Sequence, residues 1–446
     1  MSYKLADEVF VVPHAEHPVL YAPFEGIVAR IDRSVADELE SVTLGGAPPS
    51  PELVSTLDAL GLMVPDSSPS PAITAEWNET FAPLGVVYMV TAACNLRCEY
   101  CYADAGDYPV NLYDRQMARD AAKLVVDNAA EQGAPTAYLN FHGGGEPTLD
   151  FDLIQSTVEW AREYAASTYG AGLHVSASMV TNGLIANAKA EWIADNMDSV
   201  QVSHDGPAAV HDLQRPTLKG GSSYDRVREV IELLSGRVPD LMIKATISRA
   251  AVRSMPEIAR YLCESFDLSR FHLGPVLGTG RGRSTIFGEP DAQEFVEMYY
   301  KAQAIADEYG KQIIVSGALN TFPNIRRTFC GVTDPNFSLT ADGHISSCYE
   351  IMYDDDLRAP HAYYGRYDRA TRTFEVDGHR IAKLRQHDIN HVEKCRDCFA
   401  KWQCAGDCQA RWYNSQTGDL ETGVDVRCDI NRTLIRDRLL EIVSVS

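Results

Sequence analysis

The sequence has no run of about 20 apolar residues, the length that crosses a bilayer, so no membrane-spanning helix and no membrane partner are expected. Its opening residues, Met1 to Glu8, lack the basic and then apolar layout of a secretory signal, and the expected location is the cytoplasm. Cations are scarce. Lys and Arg total 40 against 62 Asp and Glu, a net charge of −22. Such a surface repels phosphate backbones and argues against nucleic acid as the main substrate. It suits a basic or neutral partner, and it equally serves solubility alone.

What the chain does have is cysteine, eleven in all. In a cytoplasmic chain these do not read as a disulfide framework. Three lie within eight residues (Cys94, Cys98, Cys101), seven lie from Cys330 to Cys428, and Cys263 stands alone. Grouping of that kind points to metal or iron–sulfur.

A chain of 446 residues exceeds one ordinary core, so two or three domains are expected. Residues 1–66 show short apolar runs at Val9–Pro13, Val19–Ala22 and Gly26–Ile31, then helical periodicity from Ser34 and over Pro51–Leu60. Three small strands with two or three helices make a winged-helix-like unit. Residues 67–83 read as a linker, entered through the Pro- and Ser-rich Pro65–Ala72. From 84 to 314 strand alternates with helix. Strands are expected at Gly85–Thr91, Thr136–His142, His174–Thr181, Ser199–His204, Leu241–Ser248 and Phe271–Pro275, with helices such as Leu112–Gln132 and Asp291–Tyr309 between or after them. Six β/α units in series imply an α/β fold, a partial (β/α)6 TIM-like barrel with its chemistry at the C-terminal strand ends. After Ile314 the alternation stops. Residues 315–446 read as a loop-rich module whose seven cysteines are most simply held by metal.

Cys94, Cys98 and Cys101 follow the first strand of the series at C-x3-C-x2-C. Three thiolates on one loop can take three irons of a [4Fe–4S] cube and leave the fourth open, whereas an electron-transfer cluster usually takes four. Zinc, which prefers four closed ligands, is the alternative, with His142 as a candidate fourth. With the aromatic Tyr100 before the last cysteine, the loop resembles the motif of the radical S-adenosylmethionine superfamily. The likeness extends to His142-Gly-Gly144-Gly145-Glu146-Pro147 after the second strand, similar to that family's GGEP element. Val180-Thr-Asn-Gly183 and Val202-Ser203-His-Asp-Gly206 after the next two strands also match. The resemblance implies a [4Fe–4S] cluster on the three cysteines and S-adenosylmethionine held by its amino and carboxylate groups. It places Tyr100, Gly144, Gly145, Glu146 and Pro147 at that cofactor and Ser203 near its ribose. Reductive cleavage of the cofactor would yield a 5′-deoxyadenosyl radical, with the protein supplying position and exclusion of water.

The tail reads Cys330-x12-Gly343-x4-Cys348, then Cys395-x2-Cys398-x5-Cys404-x3-Cys408, then Cys428. It resembles the SPASM domain of one branch of the superfamily, which carries two auxiliary [4Fe–4S] clusters, three clusters in all. Carried over, one takes Cys395, Cys398, Cys404 and Cys428. The other takes Cys330, Cys348 and Cys408, with no obvious fourth cysteine.

Members of this branch mostly modify peptides or proteins. The N-terminal unit looks like the small element that binds leader peptides by adding a strand to its sheet; a packing role is its alternative. The expectation is a maturase of a ribosomally made precursor peptide with a leader, forming a thioether or carbon–carbon cross-link and fed by a reductant such as flavodoxin or ferredoxin. Asp205-Gly-Pro and His211-Asp-Leu-Gln-Arg215 resemble the anaerobic sulfatase-maturating subgroup, which keeps that function as a rival. Those maturases carry an acidic base directly after the second SPASM cysteine. Tyr349 stands there instead, and Glu350, one residue on, is the candidate base. Peptide epimerisation is a further alternative, with Cys263 either a hydrogen-atom donor or a buried core thiol. An iron–sulfur electron-transfer protein is the alternative from another class.

Overall fold

The computed structural model describes residues 3–14, 17–43, 48–68, 76–108, 112–318, 324–331, 335–386, 388–414, 417–418 and 425–445. The N-terminal region holds β1 (Tyr3–Leu5), β2 (Phe10–Val12), β3 (Val19–Ala22), β4 (Ile27–Arg30) and β5 (Met63–Pro65). The repeating region holds β6 (Gly85–Met89), β7 (Thr136–His142), β8 (His174–Thr181), β9 (Ser199–Ser203), β10 (Asp240–Ile247), β11 (Arg270–Pro275) and β12 (Gln312–Ile314). The C-terminal region adds β13 (Asn336–Thr340), β14 (His344–Ser346), β15 (Tyr363–Asp368) and β16 (Thr373–Val376). The expected strands of the series are all present, with ends shifted by a residue or two.

These strands build one mixed α/β sheet in the order β12-β11-β10-β9-β8-β7-β6-β13-β14-β15-β16. It is parallel from β12 to β13 and antiparallel beyond. The two-residue period of a strand sorts its faces. Ala137, Leu139 and Phe141 of β7, and Ile243, Ala245 and Ile247 of β10, are buried under the helices. Their alternates Asn140 and His142, and Met242, Lys244 and Thr246, are only half-buried and line the concave side. The covering helices start where a side chain satisfies orphan N–H groups. Asp114 accepts from Gln116 and Met117 at the head of Arg115–Glu131, and Asp291 accepts from Glu294 at the head of Ala292–Glu308.

The β/α alternation ends at β12, and beyond it β13 pairs in parallel with β6, from Asn336 opposite Gly85 to Thr340 opposite Met89. An uncovered β6 would leave a row of N–H and C=O groups without partners. The tail therefore extends the barrel sheet itself, and iron need not be its only support. Asn336-Phe-Ser-Leu-Thr was hidden in the sequence because it is short and its partner strand is far away in the chain.

In the N-terminal region β2-β3-β4 form an antiparallel sheet, while β1 pairs with β5, two strands the sequence pattern did not show. With helices Arg33–Thr43 and Pro51–Ala59 they enclose a separate core of Leu20, Leu39, Leu53, Leu57 and Leu62. This unit is fastened to the tail. Glu8 meets Lys401 Nζ at 2.6 Å and accepts from Trp402 Nε1 at 2.8 Å, and Phe24 packs edge-on against Trp402. Part of the expected linker, residues 69–75, lies outside the described residues. Among the described residues no helix is long and apolar enough to cross a membrane.

Candidate active site

The loop after β6 is fixed from three sides. The turn after β7 donates Gly145 N–H to Thr91 O and Glu146 N–H to Ala93 O, at 2.9 and 2.8 Å. A Cβ on Gly145 would stand 1.9 Å from Ala93 O, so only glycine permits this approach. Arg97 and Glu99 donate their N–H groups to Pro216 and Gln214. From the far edge, Arg281 donates N–H to Cys101 O and Nε to Cys98 O, both at 2.9 Å. The three thiols are thereby held as near neighbours at the C-terminal end of the parallel strands.

Their surroundings suit bound thiolate. Burial pushes the Cys94 and Cys98 thiols up to about 11 and about 12, so as free thiols they are neutral. Two N–H groups nevertheless reach toward sulfur: Asn182 Nδ2 at 3.6 Å from Cys94 Sγ and Arg215 Nη1 at 3.7 Å from Cys98 Sγ. Donors aimed at buried sulfur, together with an arginine, fit thiolates carrying iron. Among the described residues no three His, Cys, Asp or Glu side chains converge as a single metal ion requires. Neighbouring thiols on one loop suit a polynuclear centre in which each takes its own iron. The His142 ring packs 4.8 Å from that of Tyr349 and its Nδ1 accepts from Gly143 N–H.

Behind the loop lies a charged brace. Asp205 is fully buried, and its Oδ2 accepts from Tyr100 Oη (2.5 Å), Gln214 Nε2 (3.0 Å) and Arg215 Nε (3.0 Å), while Oδ1 accepts from Thr246 N–H. The Arg215 guanidinium also lies over the Tyr100 ring. Tyr100 thus has its hydroxyl committed to holding the loop. Asp205, Gln214 and Arg215 carry functional weight that the sequence reading gave only to a subgroup resemblance; their shared stretch, Asp205 to Arg215, was the available signal.

Glu146 is also a brace. Its Oε1 accepts from Thr148 N–H, Thr148 Oγ1 and Thr181 Oγ1, and its Oε2 from Asn182 N–H. It caps the short helix Pro147–Asp150, with Pro147 in the first turn where a missing N–H does no harm. The Glu146 carboxylate therefore positions Asn182, which in turn reaches Cys94. Gly144 faces Met352, whose sulfur is 2.5 Å from where a Cβ would stand. Ser203 ends β9 on the concave side and makes no hydrogen bond among the described residues, so its hydroxyl can serve a ligand.

The tail cysteines fall into two groups. Cys330, Cys348 and Cys408 lie near one another, and burial drives Cys348 up to about 12. Cys395, Cys398, Cys404 and Cys428 form the second group, where Asn431 Nδ2 reaches Cys404 Sγ at 3.2 Å. Tyr349 bridges the first group and His142. The candidate base Glu350 has its carboxylate buried against Arg358 Nη1 at 2.9 Å, and that arginine also grips Asp356. Cys263 sits in the helix Met255–Ser265, 5% exposed within the main core, which is the place of a packing thiol.

Residues 88–249 match the family model described as the radical SAM superfamily. The cysteine-type anaerobic sulfatase-maturating enzyme of Clostridium perfringens (strain 13 / Type A) is 24% identical over 74% of this chain and 90% of its own length. The serine-type anaerobic sulfatase-maturating enzyme of Bacteroides thetaiotaomicron is 29% identical over 78% of this chain and 89% of its own. A solved structure of native anSMEcpe with bound AdoMet shares the fold, with a TM-score of 0.62 at 20% identity over 81% of this chain and all of that one. With its cysteine loop, its glycine turn and the α/β sheet that carries them, this chain carries a radical SAM domain at residues 88–249, the domain of a superfamily that uses S-adenosylmethionine and a [4Fe–4S] cluster.

Proposed function

We propose that this protein is a peptide maturase that cleaves S-adenosylmethionine reductively and takes a hydrogen atom from a ribosomally made precursor peptide, ending in a thioether or carbon–carbon cross-link. The observation that carries the reading is the cysteine loop itself: three thiols held at the barrel mouth, with Asn182 and Arg215 directed at their sulfurs. Cys94, Cys98 and Cys101 would hold the cluster, and Ser203 with the Gly144–Gly145 main chain would receive the cofactor. When bound, the pair supplies a 5′-deoxyadenosyl radical. The chain's own work is geometric. Asp205 fixes Tyr100 and Arg215, Glu146 fixes Asn182, and the barrel wall keeps water from the reacting atoms.

The proposed division is a leader-recognising unit at 1–66, winged-helix-like in its elements, a linker at 67–83, a radical barrel at 84–314 and a SPASM module at 315–446. Two auxiliary clusters on Cys330, Cys348 and Cys408, and on Cys395, Cys398, Cys404 and Cys428, would carry electrons to or from a flavodoxin or ferredoxin. Solved relatives support a peptide substrate, since one is native anSMEcpe with bound AdoMet and Cp18Cys peptide. Sulfatase maturation is the second reading, favoured by the two near-full-length relatives described above. Against it stand Tyr349 in the place of the acidic base and the Glu350–Arg358 pair.

The test is anaerobic reconstitution with iron and sulfide, followed by reductant and S-adenosylmethionine and an assay for 5′-deoxyadenosine. Production by wild type and not by Cys98→Ala is expected. A colourless protein that binds zinc and makes no 5′-deoxyadenosine, with or without candidate peptides, would rule the proposal out. Co-expressed precursor losing two hydrogens marks a cross-link, and an unchanged mass marks epimerisation.

A further inference from the structure

The C-terminal region carries a feature at odds with the rest of the surface. A cavity of about 570 Å3 opens between the helix Gly378–Gln386 and Tyr413, lined by His361, Arg380, Lys383, His391 and the Tyr413 ring. No Asp or Glu among the described residues lines it, although the chain has 62 of them and a net charge of −22. Lys383 is exposed and makes no hydrogen bond or ion pair among the described residues. Arg380 is held in place through Pro360 O, and His391 contacts the buried Asp388, which also faces Arg327 at 3.2 Å.

The floor of this cavity leads to a proposed metal ligand. His361 and Tyr413 stack with centroids 4.0 Å apart, and both also line a second, narrower cleft whose wall includes Cys348. His361, Leu384 and Tyr413 thus line both the basic cavity and the cleft that reaches Cys348. Electron-transfer partners use small interfaces and rely on charge to find them. An acidic partner is repelled by most of this surface and drawn to the cavity.

We propose that the cavity framed by Arg380, Lys383 and Tyr413 is the docking site of a small acidic electron-carrier protein that exchanges single electrons with the centre at Cys330, Cys348 and Cys408. This rests on reading those cysteines as iron–sulfur ligands. In the reducing direction one electron leaves the carrier's reduced flavin or cluster and enters the centre. In the oxidising direction the centre gives up one electron to the oxidised carrier.

The probe is a bacterial flavodoxin kept reduced by its NADPH-dependent reductase, titrated against the anaerobic holoprotein at low and high salt. Arg380→Glu/Lys383→Glu is expected to weaken binding at low salt by about tenfold or more and to flatten its salt dependence. Bleaching of the iron–sulfur absorbance by flavodoxin should slow by a similar factor, while bleaching by dithionite stays unchanged. Lys383→Glu alone alters an exposed, unbonded side chain and should weaken binding about threefold with no change in thermal unfolding. Equal affinity and equal salt dependence in wild type and both variants would overturn the proposal. So would loss of precursor-peptide binding in variants that keep full flavodoxin affinity, which would make the cavity a peptide site. Absence of any iron–sulfur absorbance in the wild type overturns the maturase reading itself, whatever the flavodoxin affinity, so the two failures are told apart.

Discussion

The barrel loop and the tail bring cysteines together by opposite routes. Cys94, Cys98 and Cys101 are contiguous, and their loop is clamped by hydrogen bonds from Gly145, Glu146 and Arg281. Cys330, Cys348 and Cys408 come from three separate turns, brought together by β13, β14 and the packing of Trp402 and Trp412. Both regions commit buried polar groups. In the barrel Asp205, Glu146, His204 and His211 are fully or almost fully buried. The tail uses buried ion pairs, Arg427 with Asp407 and Arg358 with Glu350. A local group of cysteines thus tolerates little change in its frame, whereas an assembled one depends on distant strands staying docked.

Acid should expose this difference most strongly. His204 and His211 are fully buried and burial holds both down to about 3, against 6.5 when free. Between those values the unfolded chain binds protons that the folded barrel does not, so stability falls as pH drops below 6.5. The loss is as much as ~1.4 kcal/mol per pH unit for each histidine. Thermal unfolding from pH 7 to pH 4.5 should show a steep fall that His204→Gln/His211→Gln flattens. An unchanged slope in the double variant would place the acid sensitivity elsewhere.

Arg215→Met should be next. It leaves Asp205 buried without its cation, at a cost of about 3–5 kcal/mol, and removes the N–H near Cys98. Denaturant unfolding and the iron content after reconstitution would both register it. Gly145→Ala should cost about 3 kcal/mol, because its methyl overlaps Ala93 O, and it should loosen the cysteine loop. Calorimetry with a cofactor-binding titration checks it; a neutral result would mean the loop yields more easily than its hydrogen bonds indicate.

The tail should respond more selectively. Cys408→Ala should lower iron content and visible absorbance while leaving 5′-deoxyadenosine formation with dithionite within about threefold of wild type. An equal loss of both would show that the two sites are not separable. Glu350→Gln should have the smallest effect on chemistry. A true general base would lose about 10²–10⁴ in rate on that change, whereas a carboxylate tied to Arg358 should lose less than tenfold, with some stability lost from the weakened pair.

The β/α series was readable because each strand and helix carries its own period. Ala137, Leu139 and Phe141 alternate as a strand must, and Asp114 and Asp291 announce their helices. The cysteine loop was readable because its ligands are neighbours in the chain. β1, β5 and β13 were not, since three- and five-residue strands exist only through distant partners. The same reason hid Asp205 behind Tyr100 and tied Glu350 to Arg358.

Taken alone, the sequence determined the β/α series, the three-cysteine loop and the grouping of the tail cysteines, because spacing and periodicity are local properties of the chain. Tertiary structure decided which polar side chains are free and which are committed. It turned Glu146 and Tyr100 into braces, paired Glu350 with Arg358 and gathered Arg380 and Lys383 into a basic cavity on an acidic protein. Hydrogen-bond satisfaction and charge pairing depend on what folding brings within about 3 Å, and separation along the chain carries no record of that.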